Sequence, residues 1–341
     1  MRPLAPFPIA LLGLTLAGTL AACTAKPQPS GTAASPEAAG GQGTAAPTAE
    51  AAASATAALA ARLPQGWQAF GESGTEPGQM ILPFDVSADG QGGLYVCDST
   101  GLSRYGRDGS FQTRIGEGQI KRAEAVAVSP DGEVFLAGNG SQVEVYGGDG
   151  QLRRKIGTIG SDAGQLVRPV DLAFDSEGLL YVVDTGNRRV EVFSAQGEHR
   201  RTVGEPGEQR GQFTAPRSIA LDQALQLYVG AGDDYLVQRF NPDGSYRDAF
   251  GNGNLDETIY RVGGLAVAGN LLYVSQVTRH MVQAFDISGT ERPRLLWEMG
   301  GQAGTGEQSF NGPGGMTVDN GRLYIADTKN NRIVSFAVEA P

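Results

Sequence analysis

Histidine is nearly absent from this chain: His199 and His280 are its only two in 341 residues, and they stand in separate stretches. So sparse a supply offers poor material for a transition-metal site, which draws mainly on histidine and cysteine. Cysteine is equally scarce. Cys23 and Cys97 cannot supply the cross-links of a disulfide-dense module. Positive charge is in deficit, with 27 Lys and Arg against 37 Asp and Glu, a formal net charge of -10. This argues against a binder of phosphate backbones, which needs a concentrated positive surface. Long apolar runs are missing apart from residues 9–22, a stretch short for a membrane-spanning helix.

What the chain has in plenty is glycine, 50 residues scattered without a collagen period, as suits many tight turns. Residues 169–204 show the unit that the turns separate. Four short runs, 170–174, 180–183, 190–193 and 199–203, are divided by segments such as 175–178 and 194–197, each ending in glycine. Runs of this length, punctuated this way, predict antiparallel strands. An aromatic in the second run recurs at Tyr95, Phe135, Tyr181, Tyr228, Tyr273 and Tyr324, at spacings of 40, 46, 47, 45 and 51 residues. Repeats of that size with four strands suit the blades of a propeller. First strands are expected at 84–88, 124–128, 170–174, 217–221, 264–267 and 315–318.

The fourth strands end in an apolar residue and glycine at Phe70-Gly71, Ile115-Gly116, Ile156-Gly157, Val203-Gly204, Phe250-Gly251 and Met299-Gly300. The first of these precedes every first strand, and the last repeat stops after its third strand at 333–336. A ring explains both: 67–70 should pair with 333–336, complete the sixth blade and remove a free edge. The expected fold class is therefore all-β, a six-bladed β-propeller of four-stranded antiparallel blades closed by its N-terminal strand.

The repeats resemble the NHL family. The sixth carries Phe310, Pro313, Gly315, Val318, Asp319, Leu323-Tyr324-Ile325-Ala326-Asp327, Asn330, Arg332, Ile333 and Phe336. The third carries Leu166, Pro169, Leu172-Ala173-Phe174-Asp175, Asp184, Asn187, Arg189 and Phe193. The second, fourth and fifth replace the second-strand aspartate by Gly138, Ala231 and Gln276. The resemblance covers residues 67–341 and implies a scaffold rather than a chemistry. Toward the N-terminus, Leu20-Ala21-Ala22-Cys23 follows the apolar stretch and is similar to the lipobox of bacterial lipoproteins. That likeness implies a signal peptide over 1–22, acylation of Cys23 and anchorage in the cell envelope. Thr24 in place of aspartate points to the outer membrane rather than the inner. Residues 23–63, rich in Ala, Pro, Gly, Ser and Thr, read as a tether, and 64–341 as the propeller.

Antiparallel order puts the first-to-second and third-to-fourth turns on one rim. The opposite rim carries the links between blades, 71–83, 157–169, 204–216, 251–262 and 300–313, with 116–123 shorter. The long links are the natural place for recognition. Near the mouth of the channel on that rim, Asp85, Glu124 and Asp171 are expected to converge, on a cation such as calcium or a basic ligand. Asp98, Asp184 and Asp327 are expected to brace loops, with Arg189 and Arg332 as partners. Cys97 reads as an inert buried thiol, and Trp297, out of phase with Trp67 and Leu296, as a surface aromatic.

The expected function is recognition of a protein or cell-envelope ligand through the long-link rim. The protein is expected to act as a lipid-anchored monomer, with no nucleic-acid partner and no resident cofactor. The alternative is an enzyme at the channel mouth. Six-bladed relatives of this class imply either a zinc lyase, which the two histidines disfavour, or a calcium lactonase using Glu, Asn and Asp. The latter would recruit Asn139 or Asn187.

Overall fold

The second run of each repeat is apolar on both faces, so it can be stable only where both are covered. The computed structural model covers residues 64–231, 237–251, 259–289 and 292–338. In it these runs are the most deeply buried strands, each second in its sheet: Gly93–Asp98, Val134–Ala137, Leu179–Asp184, Leu227–Ala231, Leu271–Gln276 and Arg322–Asp327. The expected signal peptide, Cys23 and tether lie outside the described residues. Among the described residues no helix is long and apolar enough to cross a membrane.

Six four-stranded antiparallel sheets form, each in sequence order except the last. In the sixth, Gln65–Phe70 lies beside Arg332–Ala337, with Ala69 opposite Val334 and Phe70 opposite Ile333. The chain thus closes on itself as the displaced fourth strand predicts. Trp67 sits at a bulge in this closing strand. It stacks on Phe336 with ring centroids 6.0 Å apart, and the Arg332 guanidinium lies 5.9 Å from its ring.

The core is a ring of six clusters, each shared by two neighbouring blades. Phe135 and Val143 of blade two meet Leu172, Leu180 and Phe193 of blade three. Across the closure, Tyr324, Ala326 and Ile333 of blade six meet Val86, Leu94 and Tyr105 of blade one. No blade buries its faces alone, so stability is shared around the circuit. Trp297 departs from expectation: it is 6 % exposed and packs with Phe336 and Tyr273 between blades five and six. A bulge between Ala284 and Phe285 shifts the outer strand by one residue, which turns Trp297 inward.

The six innermost strands are Asp85–Ala88, Ala125–Val128, Pro169–Phe174, Pro216–Leu221, Val262–Ala268 and Pro313–Asp319. They pack neighbour to neighbour around the central channel. On the long-link rim, the links of blades three and four fold back as short parallel ladders, 158–159 with 165–166 and 205–206 with 212–213. Single parallel bridges, Ser73 with Met80 and Ala303 with Phe310, do the same in two others. The short link into blade two instead makes one tight turn, with the Gln119 and Ile120 N–H groups donating to Gly116 O.

Candidate functional site

The register of the inner strands fixes which side chain of each blade reaches the mouth. Asp85 lies opposite Cys97, Ala125 opposite Ala137, Asp171 opposite Val183, and Ser218 opposite Gly230. Asp85 and Asp171 therefore occupy one repeat position in blades one and three. Glu124 stands one residue earlier than that position. All three carboxylates line a single cavity of about 230 Å³ at the mouth, as their sequence positions suggest.

Each aspartate spans two blades. Asp85 Oδ1 accepts its neighbour's N–H from Val86 at 2.8 Å, and Oδ2 accepts the Val126 N–H of blade two at 2.9 Å. Asp171 repeats this with Leu172 and with Ile219 of blade four, both at 2.8 Å. The innermost strands have no sheet partner on their channel side, and these carboxylates satisfy N–H groups that would otherwise be left open. Blade six leaves room for Asp85. A Cβ on Gly315 would stand 1.9 Å from Asp85 Oδ1, so only glycine fits there. Burial pushes the Asp85 carboxyl up to about 7 against the pull of the Val126 and Val86 N–H groups. Asp171 is pushed well above the usual carboxylate range, by burial first and by the Asp85 charge second, with Arg217 opposing.

The surroundings of these acids are cationic. Arg122, Arg168, Arg217, Arg261 and Lys329 line the same cavity, so five cations surround three carboxylates. Arg122 pairs with Glu124, and Arg217 faces Asp171. Among the described residues no three His, Cys, Asp or Glu side chains are grouped so as to hold a metal ion. The convergence on calcium is thus not matched by the donor arrangement, and Asp85 and Asp171 have both oxygens engaged by backbone. A signal for the cations was present in the sequence. Arg122, Arg168 and Arg261 each stand three residues before the channel position of their blade, a pattern visible only once the register is known.

The other candidates lie away from this cavity. Asp98 Oδ2 accepts the Ile81 N–H at 2.9 Å while Oδ1 takes the Thr100 and Gly101 N–H groups. Asp184 accepts from Val167 N–H at 2.8 Å and Asn187 Nδ2 at 2.6 Å. Arg189 donates onward to the carbonyls of Ser161, Asp162 and Gln165. Asp327 accepts from Asn311 N–H, Asn330 Nδ2 and Arg332 Nε at 2.7, 2.8 and 2.8 Å, and Arg332 donates to Thr305 and Ser309 carbonyls. These residues clamp the links at 71–83, 157–169 and 300–313 to the turns beside them. In blade five Gln276 substitutes for aspartate, accepting the Tyr260 N–H at 2.8 Å.

Asn139 and Asn187 are spent on loop contacts and do not line the mouth. His199 Nε2 meets the buried Glu191 at 2.7 Å, and His280 Nδ1 accepts the Gly312 N–H at 3.0 Å. Neither histidine lines the mouth. Cys97 is fully buried, and burial together with the Asp85, Asp98 and Asp171 charges pushes its thiol well up, away from the nucleophilic thiolate.

The NHL repeat family model matches residues 166–193 and 310–336, the third and sixth repeats. No curated protein matches this chain in sequence. Among solved structures, a protein of unknown function from Bacteroides thetaiotaomicron is similar at 18 % identity. Its TM-score is 0.63, over 80 % of this chain and 77 % of that one. Virginiamycin B lyase from Staphylococcus aureus is similar at 12 % identity, with a TM-score of 0.54 over 80 % and 99 %. The structure of a nidogen/laminin complex is similar at 18 % identity, with a TM-score of 0.56 over 72 % and 89 %. At such identities the likeness extends to the fold alone. Sheet order and closure make this chain a six-bladed β-propeller, two of whose repeats match the NHL repeat model.

Proposed function

We propose that this protein is a recognition module, exported and anchored by an acylated Cys23, that holds its ligand on the long-link rim. One observation carries the reading: the cavity at the channel mouth on that rim is lined by residues from all six blades. Such convergence of many repeats on one concave site is where ligands of repeat architectures bind. Two of the three exposed large apolar side chains among the described residues, Leu82 and the 74 % exposed Ile159, also lie on this rim. The nidogen/laminin neighbour supports a propeller of this shape meeting a protein partner. The lyase neighbour supports an enzyme equally at the level of fold, but among the described residues no grouped metal donor set favours one.

The partner is a protein or polymer of the cell envelope, and the protein acts there as a tethered monomer, with the outer membrane as its membrane. Affinity capture from envelope extracts tests this, using the full chain and two variant sets. Charge reversals at Glu72, Asp162 and Glu208 alter the long-link rim, and reversals at Asp131, Glu177 and Asp243 alter the short-turn rim. Loss of the captured partner with the first set alone is expected; loss with the second alone would place recognition on the wrong face. For the anchor, Cys23→Ser should release the chain from the membrane fraction and abolish acyl labelling. A wild-type chain that is already soluble and unlabelled would remove the anchor from the proposal.

A further inference from the structure

The chain as a whole is acidic, at -10, yet its mouth gathers five cations. Two of them are already matched. Glu124 answers Arg122, and Asp171 lies in the field of Arg217. The side chains of Arg168, Arg261 and Lys329 are exposed and meet no carboxylate among the described residues, although all three border the same cavity. The acids that share the cavity compete weakly for them. Asp85 and Asp171 lie deeper, held by backbone N–H groups from two blades each, and burial favours their uncharged forms.

The backbone adds an independent observation. Arg168 and Arg261 adopt left-handed conformations, with φ of 58° and 41°. The equivalent residues of blades one and six, Leu82 and Gly312, share it, at φ 50° and 68°. A residue with a Cβ is disfavoured there by about 1–2 kcal/mol relative to the right-handed region. Glycine would remove that strain, and blade six uses it. Two arginines held on strained backbone, in different blades, both border one concave site. The conformation belongs to the repeat, and at these two positions it places an arginine at the edge of the cavity.

We propose that the channel mouth binds an oxyanion, a carboxylate or phosphate borne on a small or narrow ligand, through Arg168, Arg261 and Lys329. The guanidinium groups supply planar two-pronged donors suited to such groups, and the lysine supplies a compact charge. The cavity, about 230 Å³, admits a small molecule or the tip of a larger one. The links around it carry Glu72, Glu76, Asp162, Glu205, Glu208 and Glu307. That acidic collar disfavours broad polyanions and leaves the cationic centre to narrow ones. The sign is the reverse of the cation expected from Asp85, Glu124 and Asp171.

This inference rests on the reading of the mouth as the binding site, and the two can fail separately. Isothermal titration calorimetry of the full chain in detergent would use citrate, inorganic phosphate and calcium chloride as probes. Citrate and phosphate should bind, more weakly as ionic strength rises, and calcium should not. The double variant Arg168→Gly/Arg261→Gly should lose about a hundredfold in citrate affinity. Its Tm should be equal to or above that of the wild type, because glycine suits both positions. Arg200→Ala, on the outer strand of blade three, should bind as the wild type does. Absence of citrate and phosphate binding, unchanged affinity in the double variant, or binding of calcium alone would each overturn the proposal. If anions do not bind but envelope capture still depends on the long-link rim, the anion inference falls and the recognition reading stands. If citrate binds and capture fails, the reverse holds.

Discussion

Asp85 shows how much one side chain can be asked to do in a propeller. It fills the space left by Gly315, joins blades one and two through the Val126 N–H, and lines the mouth. Its position at the start of a first strand, near the mouth, was legible in the sequence. Its role as a tie between blades was not, because the donor it accepts from is a backbone N–H 41 residues away that no side-chain pattern reveals. Its titration makes a testable consequence. Burial raises its pKa from 3.8 to about 7, so the folded chain holds the proton more tightly than the unfolded chain does. This group therefore favours the fold fully below about pH 4, and that contribution is lost as pH rises through about 7. Asp171, beside it, shifts in the same direction, with Arg217 opposing. Denaturant unfolding of wild type and Asp85→Asn between pH 4 and pH 8 should show the variant gaining on the wild type as the pH rises. Parallel stability curves would contradict the account of a buried, proton-holding carboxyl.

Among the elements, the clamp of link to turn is the feature that the family motif encodes most directly. Asp327, Asn330 and Arg332 are separated by three and two residues, so a single turn presents all three to the link at 300–313. Asp184, Asn187 and Arg189 repeat the pattern. This part of the rim could be read from sequence because the spacing is local and the residue types are specific. The outer strands could not be read as well. Their bulges, such as that between Ala284 and Phe285, shift the inward phase by one residue and bury Trp297. Periodicity alone cannot announce an inserted residue. Removing a buried anion leaves its donors without acceptors, so Asp327→Ala should cost about 3 kcal/mol in equilibrium unfolding. Asp319→Ala, which loses only the half-exposed Arg107 partner, should cost about 1 kcal/mol or less. Equal losses in the two variants would contradict the clamp as the principal tie of the link.

At the scale of the whole molecule, repetition and displacement of the closing strand together made the ring legible, since two incomplete ends have one economical solution. The electrostatic character of the mouth was not legible. Carboxylates announce themselves by interrupting apolar inner strands, whereas Arg122, Arg168 and Arg261 lie in the links, where charge is unremarkable. Only the closed ring brings them within one cavity, and only then does an acidic protein show a cationic mouth. The central claim is that the ligand sits at this mouth. Hydrogen–deuterium exchange on the full chain, free and bound to the partner it captures from an envelope extract, tests that claim most directly. New protection is expected at 82–86, 121–126, 167–172, 214–219, 259–264 and 311–316, the segments that frame the cavity. Protection confined to the opposite-rim turns at 129–132, 175–178, 194–197 and 241–244 would contradict it.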